Sequence, residues 1–410
     1  MENKLNGHYT TDWEKVYAKR MGRVKPSAIR EILKVAQDPT VISFAGGLPA
    51  PELFPIREFR EACEYVLVNE GQQALQYGPT EGFRPLKEWI AETVRKYGVP
   101  AEPENVLLTN GSQQALDLVG EVFIDEGDKI ITDEPTYLGA IQAWNPYGPR
   151  YLTVPLDKQG MQVDKVEELL QEHKDVKFIY VLPNFHNPGG TTLPLERRQK
   201  IAEIAAKYGV FIIEDDPYGE LRFEGKDLPP IISMHKENVI YLSTFSKTLA
   251  PGIRLGWIIA PEKVIRKFVL AKQGKDLHTS TFIQHITYDI CHRGLLKAHV
   301  KKIRKVYSHR RDVMLKAMEK YFPKEGFSWT HPEGGLFLFV WMPESINAEK
   351  LFHRAVEEEK VAFVPGSAFY PNGGGEHTMR LNFSCMPPER IEEGIKRLGR
   401  LLKDELAKSS

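Results

Sequence analysis

Cysteine is scarce in this chain, with three in 410 residues, and Cys63, Cys291 and Cys385 lie far apart without a C-x-x-C pair. That spacing argues against a disulfide framework and a cysteine zinc site, and it fits a reducing compartment. A dominant charge is missing too, since 55 Lys+Arg face 55 Asp+Glu. No global field therefore favours nucleic acid or an anionic membrane. No apolar run approaches the ~20 residues of a membrane helix. The opening Met1 to Asp12 is charged and lacks the apolar core of a signal peptide. Internal repeats and low-complexity tracts are absent, and Pro371 to Gly375 reads as a flexible loop and not a linker. These absences predict a soluble, cytoplasmic protein without a metal, nucleic-acid or membrane partner.

What is present is ample apolar material, 42% of 410 residues, enough for a large domain and a second, smaller one. From about 106 to 260, short β-rich runs alternate with helical patterns. Strands are predicted at 106–109, 129–132, 151–154, 177–182, 210–214, 239–243 and 255–260, with helices at 113–123, 163–173 and 195–208. The alternation gives an α/β fold, a mostly parallel seven-stranded sheet with helices on both faces. Ligands in such sheets sit past the carboxyl ends of strands. After Pro261 a charged, mainly helical stretch runs to about 321. A strand at 335–341, a helix at 348–359, a strand at 379–384 and a closing helix at 388–406 then predict a smaller α+β domain. The division expected is 56–300 for the large domain, with 1–55 and 301–410 forming the small one.

Lys247 stands among Ser243, Thr244 and Ser246 with Arg254 downstream, and an earlier strand ends in Glu214, Asp215 and Asp216 ahead of Tyr218. A lysine condenses with an aldehyde only as the neutral amine, so its site must depress its pKa. Such a lysine, a dianion site and an acidic partner for a ring nitrogen are what pyridoxal phosphate requires together. Alone, the hydroxyl-rich loop reads equally as a solvated turn. Ser112 and Gln113 open a helix after a strand, where N–H groups face any anion; a plain N-cap is the alternative. Asp215 ends an apolar strand, where a carboxylate needs a partner, and alternation sends Asp216 to the other face. A turn cap is the plainer reading of that pair. Asn187 and Tyr218 are placed to hold a phenolic oxygen, although Asn187-Pro188 is also an ordinary turn. His186 reads as a loop histidine. Arg380, alternating with apolar neighbours on a strand, offers a fork for a carboxylate, or else faces solvent. Tyr137, at a strand-to-helix junction, either stacks on a ring or belongs to the core.

Gly111-Ser112-Gln113-Gln114, Asn187-Pro188, Asp215 with Tyr218, Ser246-Lys247 with Arg254, and Arg380 recur in one order. In that order and approximate spacing the chain resembles the fold-type I pyridoxal-phosphate-dependent aminotransferases over nearly its whole length. The segments 43–55 and 75–82 are similar to the subgroup holding 2-aminoadipate, kynurenine and aromatic or branched-chain aminotransferases. The resemblance implies an aspartate aminotransferase-like fold. It also implies amino transfer from an L-amino acid to a 2-oxo acid, 2-oxoglutarate foremost, by a ping-pong mechanism. Lys247, Asp215 and Tyr218 would be catalytic. Ser112, Gln113, Ser246 and Arg254 would bind phosphate, Tyr137 would stack, Asn187 would share the phenolic oxygen with Tyr218, and Arg380 would take the α-carboxylate. Tyr77 would reach the partner's active site in a homodimer with shared sites. Asn187, Gly46 and Gly47 would lie near the substrate, and Arg30, on a mobile N-terminal helix, would meet a distal carboxylate. Two departures stand out: Asn187-Pro188-Gly189-Gly190 replaces Asn-Pro-Thr-Gly, and Thr244 replaces a serine, which leaves Ser243, Thr244 and Ser246 as alternatives for phosphate. The rival readings are a lyase on the same fold and a transcription regulator, the latter needing a basic DNA-binding segment.

Overall fold

A computed structural model of the chain describes residues 4–5, 8–9, 11–24 and 38–409. Its centre is an eight-stranded sheet in the order Val106–Thr109, Gly256–Ile259, Val239–Thr244, Phe211–Asp215, Val176–Val181, Lys129–Glu134, Arg150–Asp157 and Gly160–Met161. The seven expected strands are all there, and the eighth is a two-residue edge paired antiparallel to its neighbour. Five central strands run parallel. Gly256–Ile259 runs antiparallel to both of its neighbours. The chain therefore turns back directly after Val239–Thr244, and the turn carrying Lys247 lies at the carboxyl end of the parallel strands, where α/β sheets bind ligands.

Strand alternation sorts the core into two layers. Phe178, Tyr180, Ile213, Ile240 and Leu242 pack on one face with Leu116, Val119 and Phe268. Ile179, Val181, Ile212, Val239 and Tyr241 pack on the other with Ile90, Ile201 and Ile290. Helices Ser112–Phe123, Leu138–Trp144 and Glu262–Asp276 cover the first face; Ile56–Ala74, Arg84–Arg95, Val163–Glu172, Leu195–Tyr208 and Thr281–His292 supply the second layer. Leu195–Tyr208 stops where sequence patterning placed it, because Gly209 takes the left-handed conformation (φ 67°) that closes a helix. The charged stretch after Pro261 divides into Glu262–Asp276, Thr281–His292 and Leu295–Tyr321, broken at Leu277 (φ 65°) and Gly294 (φ 74°).

A third apolar cluster joins residues 41–50 to the C-terminal part of the chain, including Phe337, Phe339, Leu351, Leu381, Ile391 and Leu398. Here an antiparallel sheet runs Ser328–Trp329, Phe337–Trp341, Thr378–Asn382, Val364–Pro365. Ile42–Ser43 pairs with Val361–Ala362, which ties the early segment to this layer. The Phe337–Trp341 strand begins later than patterning predicted because Gly335 has φ 72°, and a side chain there would meet Phe185. Among the described residues, no helix is long and apolar enough to cross a membrane.

Candidate active site

The loops that follow Val106–Thr109, Lys129–Glu134, Val176–Val181, Phe211–Asp215 and Val239–Thr244 contribute to one cavity. Its lining includes Ser112, Gln113, Tyr137, Asp215, Tyr218, Thr244, Ser246, Lys247 and Arg254. Eight residues that the sequence proposed separately are thus brought to one place, and Thr244 joins them.

At one end the geometry suits an anion. Ser112 starts a twelve-residue helix, whose first N–H groups lack intrahelical partners. Gly111 precedes it at φ 75°, and a Cβ there would stand 2.6 Å from Arg254 Nη2, so only glycine lets the guanidinium approach. Arg254 Nη1 donates to Ser246 Oγ at 3.4 Å and to Pro251 O at 3.1 Å. Thr244 Oγ1 lies 2.9 Å from Ser246 Oγ. Ser243 is turned away, its hydroxyl donating to Asp216 O at 2.8 Å. Of the three candidate hydroxyls, Thr244 and Ser246 face the cavity. Gln113 Nε2 donates to Gly139 O at 2.9 Å, which ties the helix start to the turn that carries Tyr137.

Asp215 is 1% exposed. Its Oδ2 accepts from the Tyr180 hydroxyl at 2.8 Å, while buried Oδ1 has no hydrogen-bond partner among the described residues. Burial, opposed by that hydrogen bond, pushes its carboxyl up to about 7. As alternation required, Asp216 lies on the opposite face, accepting from Asn184 at 2.9 Å and Tyr241 at 3.1 Å. Tyr180 is the contact that reading by segments missed. The available signal was a tyrosine inside an otherwise apolar strand.

Lys247 Nζ donates to Gly47 O at 2.8 Å. Burial, reinforced by the positive charges of Arg380 and Arg254, lowers its amine to about 8. Arg380 is fully enclosed. Its Nη1 donates to Asn187 Oδ1 and its Nη2 to Ala45 O, both at 2.8 Å, and its guanidinium stacks 4.2 Å from the Phe337 ring centroid. Its Nε is buried and has no partner among the described residues. Burial lowers this guanidinium to about 10. Asn187 Nδ2 reaches the Tyr218 hydroxyl at 3.4 Å. Gly47 lies beside Phe337 and, with Gly46, follows the Ala45 carbonyl that holds Arg380. His186 turns aside, 3.0 Å from Asp133.

Two residues stand apart. Tyr77 is 78% exposed, away from the cavity, with its ring edge-on to His278 at 5.7 Å. Arg30 falls outside the described residues.

The family model described as aminotransferase class I and II matches residues 41–398. The chain is 47% identical over 405 residues to an aromatic-amino-acid aminotransferase 1 of Thermococcus litoralis, covering 97% of each chain. It superposes on the crystal structure of an α-aminoadipate aminotransferase of Thermus thermophilus complexed with N-(5'-phosphopyridoxyl)-L-leucine, with TM-score 0.90 and 42% identity, covering 97% of this chain and 100% of that one. It is likewise similar to a Pyrococcus horikoshii kynurenine aminotransferase in complex with PMP, with TM-score 0.92 and 43% identity, covering 96% and 98%.

Proposed function

The chain belongs to the class I and II aminotransferases, enzymes of pyridoxal phosphate, and from that premise we propose that it moves the amino group of an L-amino acid to a 2-oxo acid. The donors proposed are 2-aminoadipate, aromatic and branched-chain amino acids, and the acceptor is 2-oxoglutarate. The order is ping-pong, with the first product leaving before the second substrate enters.

The donor set fits the cofactor. An orphaned buried carboxylate oxygen on Asp215 suits a protonated ring nitrogen, and the glycine-lined cradle of Ser112, Thr244, Ser246 and Arg254 suits a phosphate. When bound, pyridoxal phosphate supplies an aldehyde carbon for the amine and a protonated ring that withdraws electrons. Lys247 Nζ, its pKa lowered toward neutral pH by burial, is the group that would take the proton from the substrate α-carbon. Asn187 and Tyr218 hold the phenolic oxygen, Tyr137 covers the ring, and Gln113 braces the anion site. Arg380 presents its fork to the α-carboxylate, its charge kept unpaired by carbonyl partners alone, with Gly46 and Gly47 alongside. The observation that carries this reading is the single cavity joining Lys247 to the unpaired oxygen of Asp215.

The proposal extends to a cytoplasmic homodimer with shared sites, to which Tyr77 contributes from the partner. It is supported by the exposure of Tyr65, Val68, Leu75 and Tyr77 along one helix and its exit. The division proposed is 56–300 for the large domain and 1–55 with 301–410 for the small one, of which 1–3, 6–7, 10, 25–37 and 410 lie outside the described residues. Arg30 is proposed, on its sequence context alone, as the selector of acidic side chains.

The test is a single half-reaction. Mixing the loaded enzyme with an amino acid alone should release one equivalent of 2-oxo acid per site and then stop until 2-oxoglutarate is added. Continuous product release from the amino acid alone would make the protein a lyase. A panel of amino acids against 2-oxoglutarate then ranks the donors.

A further inference from the structure

We propose that Tyr180 is a positioning residue that acts through Asp215 to keep the proton on the ring nitrogen of the bound cofactor; this rests on the placement of that nitrogen against Asp215. The contact arises from sheet register. Tyr180 pairs with Ile213 across the parallel strands, so Asp215, two residues on, is its diagonal neighbour on the same face. A long aromatic side chain can bridge such a diagonal, and the Tyr180 hydroxyl reaches Asp215 Oδ2 at 2.8 Å.

A phenylalanine would serve the core as well. Tyr180 is fully buried, its ring lying edge-on to Trp144 at 5.1 Å, and Trp144 is itself fixed by an Nε1 hydrogen bond to Leu116 O at 2.8 Å. Packing alone therefore asks only for the ring. The hydroxyl has one hydrogen bond among the described residues, to Asp215 Oδ2 at 2.8 Å. It occupies one carboxylate oxygen and leaves Oδ1 without a partner among the described residues. The carboxylate is thereby fixed in rotation, with one lone oxygen available to a ring N–H.

The same bond sets where a shared proton rests. A hydrogen bond to an ionised carboxylate makes it a weaker base. Burial acts the other way on Asp215, and the Tyr180 bond is the main influence opposing it. Asp216, one residue on, adds to the upward pressure, though its side chain occupies the other face. Without the hydroxyl, Asp215 Oδ1 competes harder for the proton. The nitrogen is then less often protonated, and the ring withdraws fewer electrons from the substrate carbon.

The experiment reads the nitrogen directly. Holoenzyme is prepared with pyridoxal phosphate labelled with ¹⁵N in the ring, and the nitrogen resonance is compared in wild type, Tyr180→Phe and Asp215→Asn. Tyr180→Phe should move the resonance part of the way from the protonated position toward the unprotonated one. Fluorotyrosine at position 180, a stronger donor of nearly the same shape, should move the resonance in the opposite direction and remains informative if Tyr180→Phe folds poorly. A shift in Asp215→Asn with none in either Tyr180 variant would overturn the role of Tyr180 while leaving the cofactor placement intact. No shift even in Asp215→Asn would remove the placement itself.

Discussion

The environment of Lys247 can be tested by titrating its reactivity. With burial first, then Arg380 and Arg254, its amine falls from 10.5 to about 8. At pH 7 an ordinary lysine is neutral in about 3 molecules in 10,000, whereas one near 8 is neutral in about 1 in 10. The gain in reactive amine is roughly 300-fold, or about 3 kcal/mol at 1.36 kcal/mol per pKa unit. The assay is the rate at which cofactor-free protein captures pyridoxal phosphate, followed by absorbance against pH and divided by the rate of a free lysine side chain in the same buffers. The normalised midpoint should lie near pH 8. Arg380→Gln removes the larger of the two neighbouring charges and should raise that midpoint. A normalised rate that does not change with pH in the wild type would refute the reasoning, because a solvated lysine would behave the same way.

The same shift predicts a stability effect whose sign is fixed. The folded pKa lies below the unfolded one, so the unfolded chain binds more protons between about 8 and 10.5, and stability rises with pH across that window. Below it, the penalty for confining an ammonium group is fully present. Lys247→Met keeps the apolar stem and removes the charge. It should abolish turnover and stabilise the cofactor-free protein at pH 7 by up to about 3 kcal/mol in urea unfolding. Destabilisation would mean that the bond from Nζ to Gly47 O outweighs the buried charge.

Gly111→Ala forces a side chain into positive φ and against Arg254. It should reduce stability by about 1–3 kcal/mol and cofactor affinity by at least about tenfold, read by fluorescence titration; unchanged affinity would place the phosphate elsewhere. Arg380→Lys loses the planar fork and should lower kcat/KM for amino acids by about 100-fold. A primary amine lacking a carboxylate should lose far less, and equal losses would remove Arg380 from the carboxylate site. Tyr307→Phe leaves the Ala50 N–H without the hydroxyl that accepts from it at 3.1 Å. The expected cost is about 1–3 kcal/mol in urea unfolding, and an unchanged midpoint would show that the backbone group finds another partner.

Sequence patterning recovered what is local. Leu195–Tyr208 and Ala348–Glu359 carry helical periodicity, the first with a glycine stop at Gly209, and both were legible to the residue. Leu277 was not, since a leucine at φ 65° gives no compositional sign of a break. In the site, Ser112, Asp215, Asn187 and Lys247 could be found because each lies at or past a strand end, and strand ends in a parallel sheet share one edge. What escaped were contacts set by sheet order and by long returns of the chain. Lys247 meets Gly47 from 200 residues away, and Arg380 meets Asn187 from 193. Tyr180 reaches Asp215 only because their strands are neighbours in register. This explains why the residues that carry chemistry could be read before the fold, while those that orient and tune them could not. The former are marked by residue type at a loop; the latter are ordinary core side chains whose one distinguishing atom gains meaning when a neighbouring strand supplies its partner.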